Sequence, residues 1–227
     1  MKRLISKPLL AILTAVVIGL AYILGWSQLF IVKDIQVLGS PNTISEAEIV
    51  RLSEVTRGGQ LARINIQSAA EKVGAITWVK DVEISRNWIN GKVVLAVAVR
   101  KPIAYFNSDQ IEGQTIDSEG ELFVLPGFSS SELPRISSTS PAGALEANNL
   151  FTAFPIDFRG SITSMAAISS TSFIVNSRFK GRDIEIRWGD SSEMNLKIAV
   201  INRLLALPEN KKIAMIDLLA PHAPIVR

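Results

Sequence analysis

Two acidic pairs, Asp81/Glu83 and Asp183/Glu185, stand two residues apart, a spacing that places both carboxylates on one face of a strand. Paired carboxylates at such a site can divide general acid and general base work between them. Each pair, however, alternates with apolar residues (Val82/Ile84 and Ile184/Ile186), and that alternation is what any half-buried strand with a wetted face displays. His222 is the single histidine; it lies between Pro221 and Pro224 with no second ligand at metal-type spacing. The chain has no cysteine, which excludes thiol chemistry. Composition permits a Ser–Lys dyad, but no serine occupies a recognisable nucleophile turn. Gly91-Lys92 lacks the upstream glycine of a phosphate loop, and Gly58-Gly59 is followed by neither lysine nor a strand-to-helix switch. The expectation is a protein that is not an enzyme and carries no cofactor or metal. A membrane-anchored envelope hydrolase or peptidase stands as the alternative.

The elements that would position these residues begin with an apolar run. Pro8 to Trp26 contains no charge, and at 1.5 Å per residue it makes about 28 Å of helix, the thickness of a bilayer core. Lys2, Arg3 and Lys7 precede it and Trp26 closes it, so the positive-inside rule predicts residues 1–7 as a cytoplasmic tail and 8–26 as a single transmembrane helix with everything after it exported. The other reading is a cleaved signal peptide, for which Gly25-Trp26-Ser27-Gln28 offers a poor cleavage site. The chain has 24 basic and 21 acidic residues; three of the basic ones lie before the apolar run, so the remainder is balanced. That excludes a nucleic-acid binder, whose folded part would be basic.

From Phe30 the pattern reads strand, helix, helix, strand, strand. Phe30–Leu38 is β-rich and stopped at Gly39; Ser45-Glu46-Ala47-Glu48 has a capping-box pattern; a second helix follows Asn65. Trp78–Arg86 alternates, Asn90-Gly91 signals a two-residue hairpin, and Lys92–Arg100 returns as a more apolar, central strand. Beyond it, residues 128–143 read as a Ser/Pro-rich loop, Leu145–Phe154 as a helix, and Ile162–Ile168, Ser172–Asn176 and Asp183–Trp188 as strands with Lys180-Gly181 as a turn. Asp190-Ser191-Ser192-Glu193 caps a helix, and Lys212–Leu218 is a last strand. Lys33, Arg100 and Lys101 read as solubilising charges.

The order β-α-α-β-β behind an anchor resembles a POTRA domain, and the details are similar to the FtsQ/DivIB family of bacterial cell-division proteins. The resemblance is carried by Phe30–Gly39, by Trp78-Val79-Lys80-Asp81-Val82-Glu83-Ile84-Ser85-Arg86-Asn87-Trp88, by Val99-Arg100-Lys101-Pro102-Ile103-Ala104, by Thr115–Phe123, by Leu133-Pro134-Arg135-Ile136 and by Asp217-Leu218-Leu219-Ala220-Pro221. It implies an α+β fold: one N-terminal transmembrane helix, a POTRA domain over 30–101, and a mixed, mostly antiparallel β-domain with inserted helices over 102–227. It also implies a bitopic, non-catalytic scaffold of the divisome, in the cytoplasmic membrane at the division septum. Such a scaffold binds small coiled-coil partners (FtsB/DivIC-like and FtsL-like) among other divisome components and helps regulate septal peptidoglycan synthesis.

Binding by such a protein has a physical route, because unpaired N–H and C=O groups at a sheet edge accept a partner's strand. The last strand is the expected edge, since no later strand is visible to cover it, and the resemblance points to the same place. The expected partner-binding residues are Ile213, Met215, Asp217, Leu218 and Leu219; the alternative is that this strand is internal.

Overall fold

The computed structural model describes residues 7–26, 28–108 and 113–227, with the backbone alone at 7, 9 and 23–26. Lys2 and Arg3 lie outside the described residues, as do the side chains of Lys7 and Trp26. Helix α1 (Lys7–Trp26) is continuous, and all its described side chains are exposed. The Thr14 hydroxyl donates to the Leu10 carbonyl at 2.9 Å, so the polar group in its middle is satisfied within the helix. Over the part with described side chains, no helix is long and apolar enough to cross a membrane.

The chain divides into two compact units, Met1–Val99 and Arg100–Arg227. After α1 the first unit contains β1 (Asp34–Leu38), α2 (Thr43–Ser53), α3 (Ile66–Gly74), β2 (Val79–Asn87) and β3 (Lys92–Val99). Its sheet runs β1-β3-β2, with β1 parallel and β2 antiparallel to the central β3. Val93, Leu95 and Val97 alternate inward on β3, and Ile49 of α2 and Val73 of α3 are buried as they are. A register shift between Val79 and Asp81 inserts one extra residue in β2. That bulge lets Val79 and Ile84, an odd number of positions apart, both be buried.

Both helices start on asparagines. The Asn42 carbonyl oxygen accepts from Ser45 N at 2.9 Å and that of Asn65 from Ser68 N at 3.1 Å. The α2 cap is thus Asn42, not Ser45, which is buried one turn inside. Asn42→Ala should cost the first unit about 1 kcal/mol, read as a lower urea midpoint at unchanged slope. The β2–β3 connection is four residues long, not two: Asn87 pairs with Lys92, and the Asn87 side chain accepts from Ile89 N and Asn90 N at 3.1 Å each. Phe30–Leu38 is strand only from Asp34; Gln28–Phe30 is a turn of 3-10 helix.

The second unit is a nine-stranded sheet. In chain order it contains β4 (Ala104–Phe106), β5 (Thr115–Ile116), β6 (Leu122–Phe123), β7 (Arg135–Ser138), α4 (Pro141–Ala153), α5 (Ile156–Arg159), β8 (Ile162–Ser169), β9 (Ser172–Phe179), β10 (Arg182–Gly189), α6 (Met194–Ala206), β11 (Met215–Asp217) and β12 (Ile225–Val226). The sheet order is β12-β11-β10-β9-β8-β7-β4-β5-β6. Lys180 and Gly181 both have positive φ and form the two-residue turn between β9 and β10, as their types demand. The core centres on Trp188, fully buried with Phe154 edge-on at 4.8 Å and Phe158 at 5.9 Å.

The loop reading of 128–143 is corrected here. Residues 135–138 form β7, parallel to both β4 and β8, and α4 begins at Pro141. The serines that suggested a loop are structural. Asn107 and Ser138 exchange side-chain and main-chain bonds at 2.8 and 2.9 Å, and Ser140 Oγ caps α4 by accepting from Gly143 N at 3.2 Å. Asp190 likewise does not cap α6. Its carboxylate accepts from Ser192 N and Oγ and from Lys197 Nζ at 3.0 Å, beneath which the Lys197 side chain is almost wholly buried. The Ser192 hydroxyl first, then Lys197, holds the Asp190 carboxyl down at about 2.

Arg100 is not a mere solubilising charge. Its Nη1 donates to Asp117 Oδ2 at 2.8 Å, with Asp117 almost fully buried, and reaches Glu119 at 3.3 Å. Asp117 Oδ1 accepts from Glu119 N and Glu121 N at 2.9 and 3.0 Å and so shapes the β5–β6 turn.

Candidate partner-binding edge

The candidate acids lie on the exposed faces of two strands. Asp81 and Glu83 are exposed on β2. Asp183 makes a two-point bond with Arg178 at 2.7 and 3.0 Å, which holds its carboxyl below the usual range. Glu185 lies 3.7 Å from Arg187. His222 is exposed, 3.4 Å from Glu193. Among the described residues no group of three potential metal ligands is assembled.

The terminal strand is not an edge, which corrects the expectation. β11 pairs in parallel with β10 (Glu185↔Met215, Ile186↔Ile216, Arg187↔Asp217) and antiparallel with β12 (Ile216↔Val226, Asp217↔Ile225). The strand that covers it follows a turn closed by Ala223 N donating to Ala220 O at 2.9 Å. Leu218 is fully buried, Ile213 and Met215 are half-buried, and Asp217 lies 3.8 Å from Arg187. Leu219 alone of the five is exposed, with its N–H held by Asp217 Oδ1 at 3.0 Å. Leu219 lies over Gly189, where a Cβ would meet its Cδ2 at 3.1 Å.

Among the described residues the outermost strand at this end of the sheet is β12. Arg227 N donates to Met215 O, and Met215 N to Arg227 O, both at 3.0 Å. In an antiparallel ladder the next residue points its main-chain groups the other way. Val226 therefore turns its N–H and C=O toward the open side, with exposed Ile225 beside it and Leu219 nearby in the chain. Ile225 and Val226 were missed in the sequence. Their signal was a β-branched pair directly after Pro224, too short to show alternation.

Residues 30–100 match the FtsQ-type POTRA domain family. Along 88% of its length the chain is also 24% identical, over 213 residues, to the cell division protein FtsQ of Corynebacterium glutamicum, 91% of which is covered. The chain carries an FtsQ-type POTRA domain and is similar to an FtsQ protein along most of its length. The β-α-α-β-β order of the first unit is thus that of an FtsQ-type POTRA domain. In this FtsQ-type chain the POTRA sheet has edges of its own. That of β2 carries exposed Lys80, Asp81 and Glu83, a charged rim that discourages indiscriminate pairing. The edge at β12 carries no such guard on Ile225 and Val226.

Proposed function

We propose that the chain is a non-catalytic, membrane-anchored scaffold of the divisome. It takes up small coiled-coil division proteins, FtsB/DivIC-like and FtsL-like, by strand addition along β12, and through them helps regulate septal peptidoglycan synthesis. The observation that carries this reading is the outward-facing main chain of Val226 at the end of the large sheet, next to exposed Ile225. Main-chain bonds supply affinity in this mode, and side chains on alternate positions supply specificity. Ile213, Met215, Asp217 and Leu218 then support the edge from within, and Leu219 touches the partner directly.

Anchoring rests on α1. Its twenty residues are about 30 Å long, and after Lys7 none is charged. With Lys2 and Arg3 before it and Lys7 as its first residue, the helix is held with its N-terminus in the cytoplasm and both units outside, at the division septum.

The test is Val226→Pro. Proline at this position removes an outward N–H but none of the bonds that Arg227 makes to Met215, and edge strands accept it. Capture of an FtsB-like or FtsL-like partner by the full chain should weaken at least tenfold, about 1.4 kcal/mol, with circular dichroism unchanged. Undiminished capture by the folded variant removes β12 as the docking edge. Met215→Pro is the poorer probe, because the Met215 N–H is an internal ladder bond.

A further inference from the structure

The POTRA unit exposes an apolar cluster that its own packing does not use. Ile89 at the β2–β3 tip is 91% exposed, Trp88 beside it is only partly covered, and Leu29 is 70% exposed. Phe30 meets the Trp88 ring edge-on at 6.1 Å, so the two chain segments form one patch. An isolated exposed apolar residue needs no explanation, but a contiguous aromatic and aliphatic group marks an interaction surface.

The topology fixes where this patch lies. β1 runs parallel to β3 with Asp34 opposite Lys92, so the tip that precedes β3 is at the same end of the sheet as the segment arriving from α1. Gly91 O accepts from Lys33 N at 2.7 Å and from Asp34 N at 3.3 Å, which ties the tip to that segment. From Trp26 to Phe30 the chain spans at most about 14 Å. The patch therefore cannot leave the neighbourhood of the bilayer that α1 enters.

We propose that Leu29, Phe30, Trp88 and Ile89 dock into the outer-leaflet interface of the phospholipid bilayer holding α1. The inference rests on the anchor reading above. Tryptophan suits the headgroup level, where its ring is amphipathic. Cations surround the patch as anionic headgroups require: the Arg86 guanidinium lies 5.2 Å over the Trp88 ring, and Lys33 and Lys92 flank Gly91. Asp34, the carboxylate at this end, is already answered by Arg57 at 3.5 Å and Lys92 at 4.0 Å.

The absence of cysteine makes the test direct. Ile89→Cys, Asp81→Cys and Val17→Cys, each made separately in the full chain, are labelled with an environment-sensitive fluorophore. Each is reconstituted in phosphatidylethanolamine–phosphatidylglycerol vesicles with and without nitroxide-bearing lipid. The label at 89 should be quenched about twofold, as for a group buried at the headgroup–acyl boundary. The label at 81, at the far end of β2, should not be. A label at 89 that stays as bright as that at 81 overturns lipid docking and leaves a protein partner for the patch. Position 17 reports the anchor separately: quenching there without quenching at 89 defeats only this inference. Quenching at 89 without quenching at 17 retains the lipid contact and removes the transmembrane anchor.

Discussion

Gly39→Ala is expected to lower the stability of the POTRA unit by about 3 kcal/mol, and its melting temperature by roughly 12–24 °C. Gly39 has φ +82°, a conformation that costs any residue with a side chain. A Cβ there would also stand 2.1 Å from Val97 O and 3.2 Å from Val97 C. Those are main-chain atoms of the central strand, so no rotamer change relieves the overlap. Either β1 leaves β3 or β3 leaves its register. Gly58→Ala is the matched control, because Gly58 has the same φ with nothing within 4 Å of the added atom. It should cost only about 1 kcal/mol. Thermal unfolding followed by circular dichroism separates the two variants, and equal losses would show that backbone conformation alone matters at position 39.

In the second unit the comparable substitution is Asp117→Ala, expected to cost about 3 kcal/mol. It removes the acceptor for two turn N–H groups and takes from the little-exposed Arg100 its nearest charge partner, leaving it the more exposed Glu119 at 3.3 Å. Burial alone would raise the Asp117 pKa. The bond from Arg100 and the N–H groups of Glu121 and Glu119 outweigh it, and the carboxyl sits below its ordinary value of 3.8. A depressed folded pKa means that the stabilisation is complete above the unfolded value and is lost as pH falls through the folded one. The urea midpoint of the second unit should therefore drop below about pH 4. Asp117→Asn should lower the midpoint at pH 7 and flatten that drop, leaving the portions due to Asp183 and to Asp190, the latter held down at about 2. A pH profile identical to the unsubstituted chain would exclude Asp117 as its source.

Much of the POTRA order was legible because each element carries a local signature. Val93, Leu95 and Val97 alternate cleanly and Asn65 stands where a helix needs an acceptor, whereas the α2 cap is Asn42 rather than the Ser45 that the pattern suggested. Pairing partners were harder to read. β7 has one large apolar residue, Ile136, among serines whose hydroxyls and main chain are tied up locally, so its central place in the sheet leaves almost no trace in composition. The same limit displaced the binding edge. β12 is two residues long, below the length at which a period of two can be counted, and missing it made β11 look terminal. The family resemblance pointed to this end of the sheet, where the outermost described strand, β12, follows a chain reversal at Ala220–Ala223.

The parallel pairing of β1 with β3 has a consequence for biogenesis. If the chain is exported as proposed, with its N-terminus held in the cytoplasm, the segment after α1 crosses first, so β1 is the first strand to emerge, and its ladder partner is the last strand of the unit. Until Lys92–Val99 arrives, Asp34–Leu38 has no hydrogen-bonding mate and must wait at the secretion channel's exit. A pause in translocation between the two prolongs that interval, which makes the spacing of their emergence, rather than the strength of either strand, the point at which a periplasmic or surface chaperone has most to act upon.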